Sequence, residues 1–126
     1  MTFENSFSSL LFVIDESKQH GCVYLLQCAG TRYFKIGCTT SDTPHNRVDN
    51  MQTGCPLNIV IIAYAKTTHH KTVERLLHIM LRRHQVQGEW FELNDLNAKF
   101  AVSRLLSLSM LRSGKELLIE KILKAG

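Results

Sequence analysis

Residues 21–38 constrain the chain most: Gly-Cys-Val-Tyr-Leu-Leu-Gln-Cys, then Ala-Gly-Thr-Arg, then Tyr-Phe-Lys-Ile-Gly-Cys. Two runs rich in β-branched and aromatic residues around a short Gly-containing loop read as a β-hairpin. Side chains alternate across a strand, so Val23 and Leu25 share one face with Phe34 and Ile36, while Tyr24 and Lys35 share the other. The second run ends at Gly37, where a backbone without a Cβ lets another group come close.

The segments after the hairpin set the fold class. Ser41-Asp42-Thr43-Pro44 is a helix start, with a capping side chain and a proline in the first turn, and the helix runs to about Gln52 and stops at Gly54. Val48 and Met51 face inward and Arg47 faces elsewhere. Leu57 to Ala65 is an unbroken apolar run, which predicts a strand covered on both faces. With the hairpin it makes a small three-stranded antiparallel sheet. Thr67-Thr68 starts a helix from about His69 to His84, with an apolar stripe of Val73, Leu76, Leu77 and Met80 at helical spacing. Glu74 and His78, four apart, stack on a neighbouring face. Gly88 begins a turn into a short extended segment at Trp90 and Phe91. Asn94-Asp95 caps a helix to about Leu111, and Lys115 to Lys124 forms a last short one. The expected class is α/β, in the α+β sense, a small antiparallel sheet flanked by helices.

Three units result: a net acidic appendage over 1–20, a core over 21–93 and a helical extension over 94–126. Asn5-Ser6 would cap a short helix in the appendage, although Phe12-Val13-Ile14 suits a strand equally well. The extension carries more apolar surface than one packing face needs, so it either wraps the core or pairs two copies as a homodimer.

At 126 residues the chain fits one domain, and 44% hydrophobic residues exclude wholesale disorder. A net charge of +4 admits a polyanionic partner without requiring one. Cysteines at 22, 28, 38 and 55 form no CxxC pair and read as reduced thiols. Glu4 stands where a secretory signal needs positive charge, and the apolar run from Leu10 to Ile14 is too short for a membrane span. The expectation is a soluble, cytoplasmic protein.

The order Tyr24, Lys35-Ile36-Gly37, Thr39-Thr40, Arg47, Gln52 to Pro56, Glu74 to His78, then Gly88-Glu89-Trp90-Phe91 resembles the GIY-YIG nuclease superfamily. It is most similar to the branch in phage, viral and fungal proteins whose second motif reads KIG. The resemblance covers roughly residues 21–93. It implies phosphodiester hydrolysis with a single divalent ion, Mg²⁺ or Mn²⁺, held by Glu74. Tyr24 would take a proton from the attacking water, Arg47 would meet the phosphoryl oxygens, and Gly37 would allow close approach of the strand end. Lys35 stands where the second tyrosine usually is, and is assigned to phosphate contact and to lowering the pKa of Tyr24. Met51 stands where better-known members carry a histidine, and Glu89 or the Trp90 indole where they carry an asparagine. His78 would compensate, as a general acid or as a partner orienting Glu74.

Lys71, Arg75, Arg82 and Arg83, with His69, His70 and His84, form either a phosphate track or a solvated basic helix face. The function expected from the resemblance is a Mg²⁺-dependent endonuclease acting on DNA. Its alternative is a catalytically lapsed module of the same fold that binds nucleic acid or a protein.

Overall fold

The computed structural model describes residues 20–111. The readings of the 1–20 appendage, apart from its last residue, and of the helix over Lys115–Lys124 fall outside them. The strands are β1 (Gly21–Cys28), β2 (Tyr33–Thr39), β3 (Ile59–Thr67), β4 (Gln85–Gln87) and β5 (Trp90–Glu92). The helices are α1 (His45–Thr53), α2 (His70–Met80) and α3 (Asp95–Ser109), and a 3₁₀ turn at Arg82–His84 follows α2. All strand pairings are antiparallel, in the order β3-β1-β2-β5-β4. The sheet therefore has five strands where three are expected. The predicted helix through His84 ends earlier, and the chain beyond it folds back as the β4–β5 hairpin. Gly88 sits in the turn between them at φ +55°, the left-handed region that glycine enters without a steric penalty.

The hairpin has the expected faces. Val23, Leu25, Phe34 and Ile36 join Val73, Leu76 and Leu77 of α2 and Ala101, Leu105 and Leu108 of α3 in one buried cluster. On the other face Cys22, Tyr24, Leu26 and Ile59 are buried, with Val48 and Met51 of α1 packed against them. Helix α3 is thus part of the same core as the sheet, while its Leu96, Phe100 and Leu106, and Met110 just beyond it, stay exposed. The β1–β2 turn is held by Thr31, whose hydroxyl donates to the Cys28 carbonyl at 2.7 Å and accepts from the Tyr33 N–H at 3.1 Å. All four cysteines are free thiols.

β3 departs from its expected burial. It is an edge strand, and Val60, Ile62 and Tyr64 are each close to 40% exposed. An unbroken apolar run cannot distinguish a strand covered on both faces from one whose outward residues are merely β-branched or aromatic. Helix starts differ in detail. Pro44 itself occupies the N-cap of α1 and His69 that of α2, neither with a side-chain cap, although the Thr67 hydroxyl accepts from the His69 N–H at 3.1 Å. Asn94 caps α3 as expected, its side-chain oxygen accepting from the Asn97 N–H at 2.8 Å.

Helix α2 begins against β1. His70 is 4% exposed, and neither of its ring nitrogens has a hydrogen-bond partner. A Cβ on Gly21 would press on the Thr39 carbonyl and lie 2.6 Å from the His70 ring, so glycine is what admits the imidazole here. Burial, with the neighbouring Lys71 charge adding, pushes the His70 pKa below its ordinary 6.5. The unfolded chain then takes up a proton more readily than the folded one. The stabilisation is complete above pH 6.5 and is lost as pH falls towards the lowered folded value. Between about pH 7.5 and about pH 5.5, the melting temperature of the wild type should fall more steeply than that of a His70→Gln variant. Equal slopes would show that His70 is not held neutral in the core.

Candidate functional site

The site forms where β2 runs out of partners. β5 covers only the first half of its outer edge: Lys35 pairs with Trp90, and the Ile36 N–H donates to the Glu89 carbonyl at 3.0 Å. Past that rung the Ile36 carbonyl meets a side chain instead, accepting from His78 Nε2 at 2.8 Å. A carbonyl only accepts, so Nε2 carries a proton, and Nδ1 is the nitrogen that this contact leaves open. His78 also packs edge-on against Phe91, with centroids 5.0 Å apart. It ties α2 to the open edge of β2, which leaves Nδ1 for any acid–base role.

Glu74 lies one helical turn before His78, its Oε1 4.0 Å from Nε2. Cys38, on the face of β2 towards α2, has the Glu74 carboxylate near its thiol. Burial first, then that carboxylate, push the Cys38 pKa up, so it remains a neutral thiol. Cys38 has no expected role from motif or spacing. Alternation along β2 is the signal that finds it, because Lys35 and Gly37 face α1 while Cys38 turns towards α2.

Glu74 and His78 open on a cleft of about 730 Å³. Lys71, Arg75 and Arg82 line it with them, and Ile79 and Gln85 complete the wall. The spacing 71, 75, 78, 82 puts these side chains along one face of α2 and the turn after it. Arg83 is exposed and outside this lining.

Tyr24 approaches from the opposite face of the sheet. It pairs with Gly37, and a Cβ at Gly37 would lie 2.5 Å from the Tyr24 hydroxyl oxygen and 2.6 Å from Cζ. The space the glycine leaves is filled by the phenol ring, so Gly37 admits Tyr24, where a ligand is expected from the sequence. Tyr24 is 1% exposed. Burial pushes its pKa up to about 12, the Glu89 charge adds to that, and Arg47 is the cation that opposes it. The Glu74 charge also raises it, so across the strand end the phenol senses the cleft.

Lys35 does not lower the Tyr24 pKa as expected. Its ammonium lies 3.3 Å from the Met51 sulfur, 3.8 Å from a Glu89 carboxylate oxygen and 5.7 Å from the Trp90 ring centroid. Met51 and Glu89 are thus the groups that hold Lys35. Arg47 is exposed on α1, on the Tyr24 side. The structure brings Glu74, His78, Lys71, Arg75 and Arg82 together on one side. It brings Tyr24, Lys35, Arg47 and Glu89 together on the other, and the two groups meet at the bare end of β2.

Among the described residues no three His, Cys, Asp or Glu side chains gather as a ligand set. The cleft offers one carboxylate, roughly one-fifth exposed, to any cation. Such a donor set fits a hard ion that keeps most of its waters and takes phosphate oxygens, as Mg²⁺ does. It does not fit zinc, which needs several nitrogen or sulfur ligands.

A basic cleft around a lone carboxylate, at the open end of a small antiparallel sheet, is the arrangement of a nuclease-like or nucleic-acid-binding domain. Residues 21–106 match the T5orf172 domain, and the chain belongs to that family of nuclease-associated, GIY-YIG-like domains. Neither a curated protein nor a solved structure matches it. Among the described residues no helix is long and apolar enough to cross a membrane.

Proposed function

We propose that the protein is a Mg²⁺-dependent endonuclease that hydrolyses phosphodiester bonds in DNA, and that it belongs to the KIG branch of GIY-YIG-like enzymes, a reading supported by its Lys35-Ile36-Gly37 motif. The observation carrying this reading is Glu74, the single carboxylate in a cleft whose other charged lining residues are the cations Lys71, Arg75 and Arg82. A carboxylate in that setting repels the phosphate that Lys71, Arg75 and Arg82 attract, so its presence is useful only if it holds a cation. A divalent ion on Glu74 would neutralise charge on the scissile phosphate.

The protein's own groups supply the rest. Lys71, Arg75, Arg82 and Arg83 bind the phosphate backbone. Cys38 lies near the Glu74 carboxylate as a neutral thiol, and His78 fixes the helix that carries it. Arg47 offers a planar fork to the phosphoryl oxygens as charge builds there. Lys35 makes a phosphate contact once the incoming anion competes with Glu89. Tyr24 holds its proton in the free protein, so it first serves as a donor to the phosphate or the attacking water. It takes a proton from that water only where cations offset Glu74 and Glu89.

The burial of Tyr24 favours one other reading, a domain that grips nucleic acid without cutting it. The two separate on supercoiled plasmid incubated with Mg²⁺ or Mn²⁺ and, in parallel, with a chelator. Nicked or linear product should appear only with the metal, and should return when Mg²⁺ is added back. Salt-sensitive DNA binding with no cleavage under any metal would establish the binding module instead.

A further inference from the structure

Beyond the cleft, the sheet face that carries Tyr24 and Lys35 bears a second hollow, of about 230 Å³, lined by Cys28, Tyr33, Val86, Gln87 and Trp90. It is smaller than the roughly 300–1,000 Å³ of pockets that enclose whole small molecules, and suits a single ring system. Tyr33 is 44% exposed and Val86 57% exposed, so the apolar lining is open to solvent. Tyr33 pairs with Glu92, and Trp90 with Lys35 two positions along, which makes the two aromatics diagonal neighbours on adjacent strands. Diagonal neighbours stand roughly 7–8 Å apart. At that spacing both aromatic side chains are within reach of a group held in the hollow they line.

The lining carries no charge, so the hollow is not a phosphate site. Charge sits at its rim: the Lys35 ammonium lies over the Trp90 ring, within an ion pair to Glu89. Glu92, exposed beside Tyr33, repels a phosphate from the far side. Gln87 brings an amide, which donates and accepts, to the edge of the hollow. Aromatic walls, one amide and a cation at one rim only are complementary to a base with its phosphate directed towards Lys35, and Lys35 leads on to Tyr24 and Arg47.

We propose that this hollow is a nucleobase slot: Tyr33 and Trp90 stack an unpaired base while Lys35 meets its phosphate. The proposal rests on the nucleic-acid reading above and narrows it to substrates with an unstacked base near the scissile bond, such as single strands, bulges or overhangs. A base inside duplex DNA has both faces occupied by its neighbours and cannot enter.

Trp90 is the sole tryptophan of the chain, so its emission reports on the slot directly. The wild-type protein is titrated without added metal with a single-stranded oligonucleotide, and with one of equal length built from abasic spacers, while anisotropy of a label on the DNA follows binding. The base-bearing strand should quench Trp90, the abasic strand should bind without quenching, and Tyr33→Ala should weaken the base-bearing strand by about 5-fold or more in Kd. Tyr33 is largely at the surface, so the variant keeps the fold. Binding with unchanged Trp90 emission and an unaltered Kd in Tyr33→Ala would overturn the slot and leave the cleft reading intact. Equal quenching by the abasic strand would also overturn it, as a phosphate effect through Lys35. No binding of either strand would remove both readings.

Discussion

Glu74→Gln is expected to abolish plasmid cleavage, lowering the rate by at least about 10²–10³-fold, the scale of losing one group that stabilises charge at a reacting centre. DNA binding should survive and tighten at low salt, because the substitution removes the one negative charge among Lys71, Arg75 and Arg82. The shape of the side chain is kept, so loss of activity would not reflect unfolding. An independent readout is built into the site. After burial, the nearby Glu74 carboxylate is a cause of the raised Cys38 pKa, so removing its charge should bring the thiol pKa down. Thiol modification measured against pH would therefore show a shift even if no cleavage is ever detected. Undiminished cleavage by Glu74→Gln would move the reaction away from the cleft altogether.

The second large effect is structural. Gly37→Ala forces a methyl group against the Tyr24 hydroxyl, Cζ and Cε1, which would lie 2.5, 2.6 and 2.8 Å from it. The ring is 1% exposed and packed under α1 with Cys22 and Leu26, so it cannot swing aside freely. Overpacking of this kind costs about 1–3 kcal/mol, and each kcal/mol is worth about 4 °C in Tm for a chain of this length. Tyr24→Leu removes the ring that clashes, so the double variant should lose clearly less stability than the two single losses added, by about 0.5 kcal/mol or more. Strict additivity, measured by thermal or urea denaturation, would show that the phenol does not lie over Gly37.

Much of this fold could be read directly from residue order. The facing of Val23, Leu25, Phe34 and Ile36 follows from a period of two, and that of Val73, Leu76 and Leu77 from a period of 3.6, because each buried stripe repeats enough times to be unambiguous. The β4–β5 hairpin is different. Its strands are three residues each, too short for any period, and Gln85 and Gln87 are not strand formers. Only Gly88 hints at a turn, and the pairing that defines these strands comes from the neighbouring β2.

The candidate site divides the same way. Glu74 and His78 meet because they share one turn of one helix, which their spacing predicts. The destination of Lys35 was not legible. Side-chain alternation gives its face, but not which of several neighbours it reaches along that face. Met51 and Glu89 arrive from elements far away in the sequence, and a long flexible side chain takes the contacts that tertiary packing offers. The expected effect on Tyr24 failed for that reason: burial and two carboxylates outweigh a lysine already engaged elsewhere.

The last rung of the β2–β5 ladder carries Lys35, Trp90 and the Glu89 carbonyl together. Because strand side chains alternate, sliding the β4–β5 hairpin by one residue would turn Trp90 to the opposite side of the sheet and carry the Glu89 carboxylate away from the ammonium. The number of residues around Gly88 therefore sets which side of the sheet Trp90 faces and whether Glu89 reaches Lys35, so a change in the loop's length would act on the site through the register of the strand that follows it.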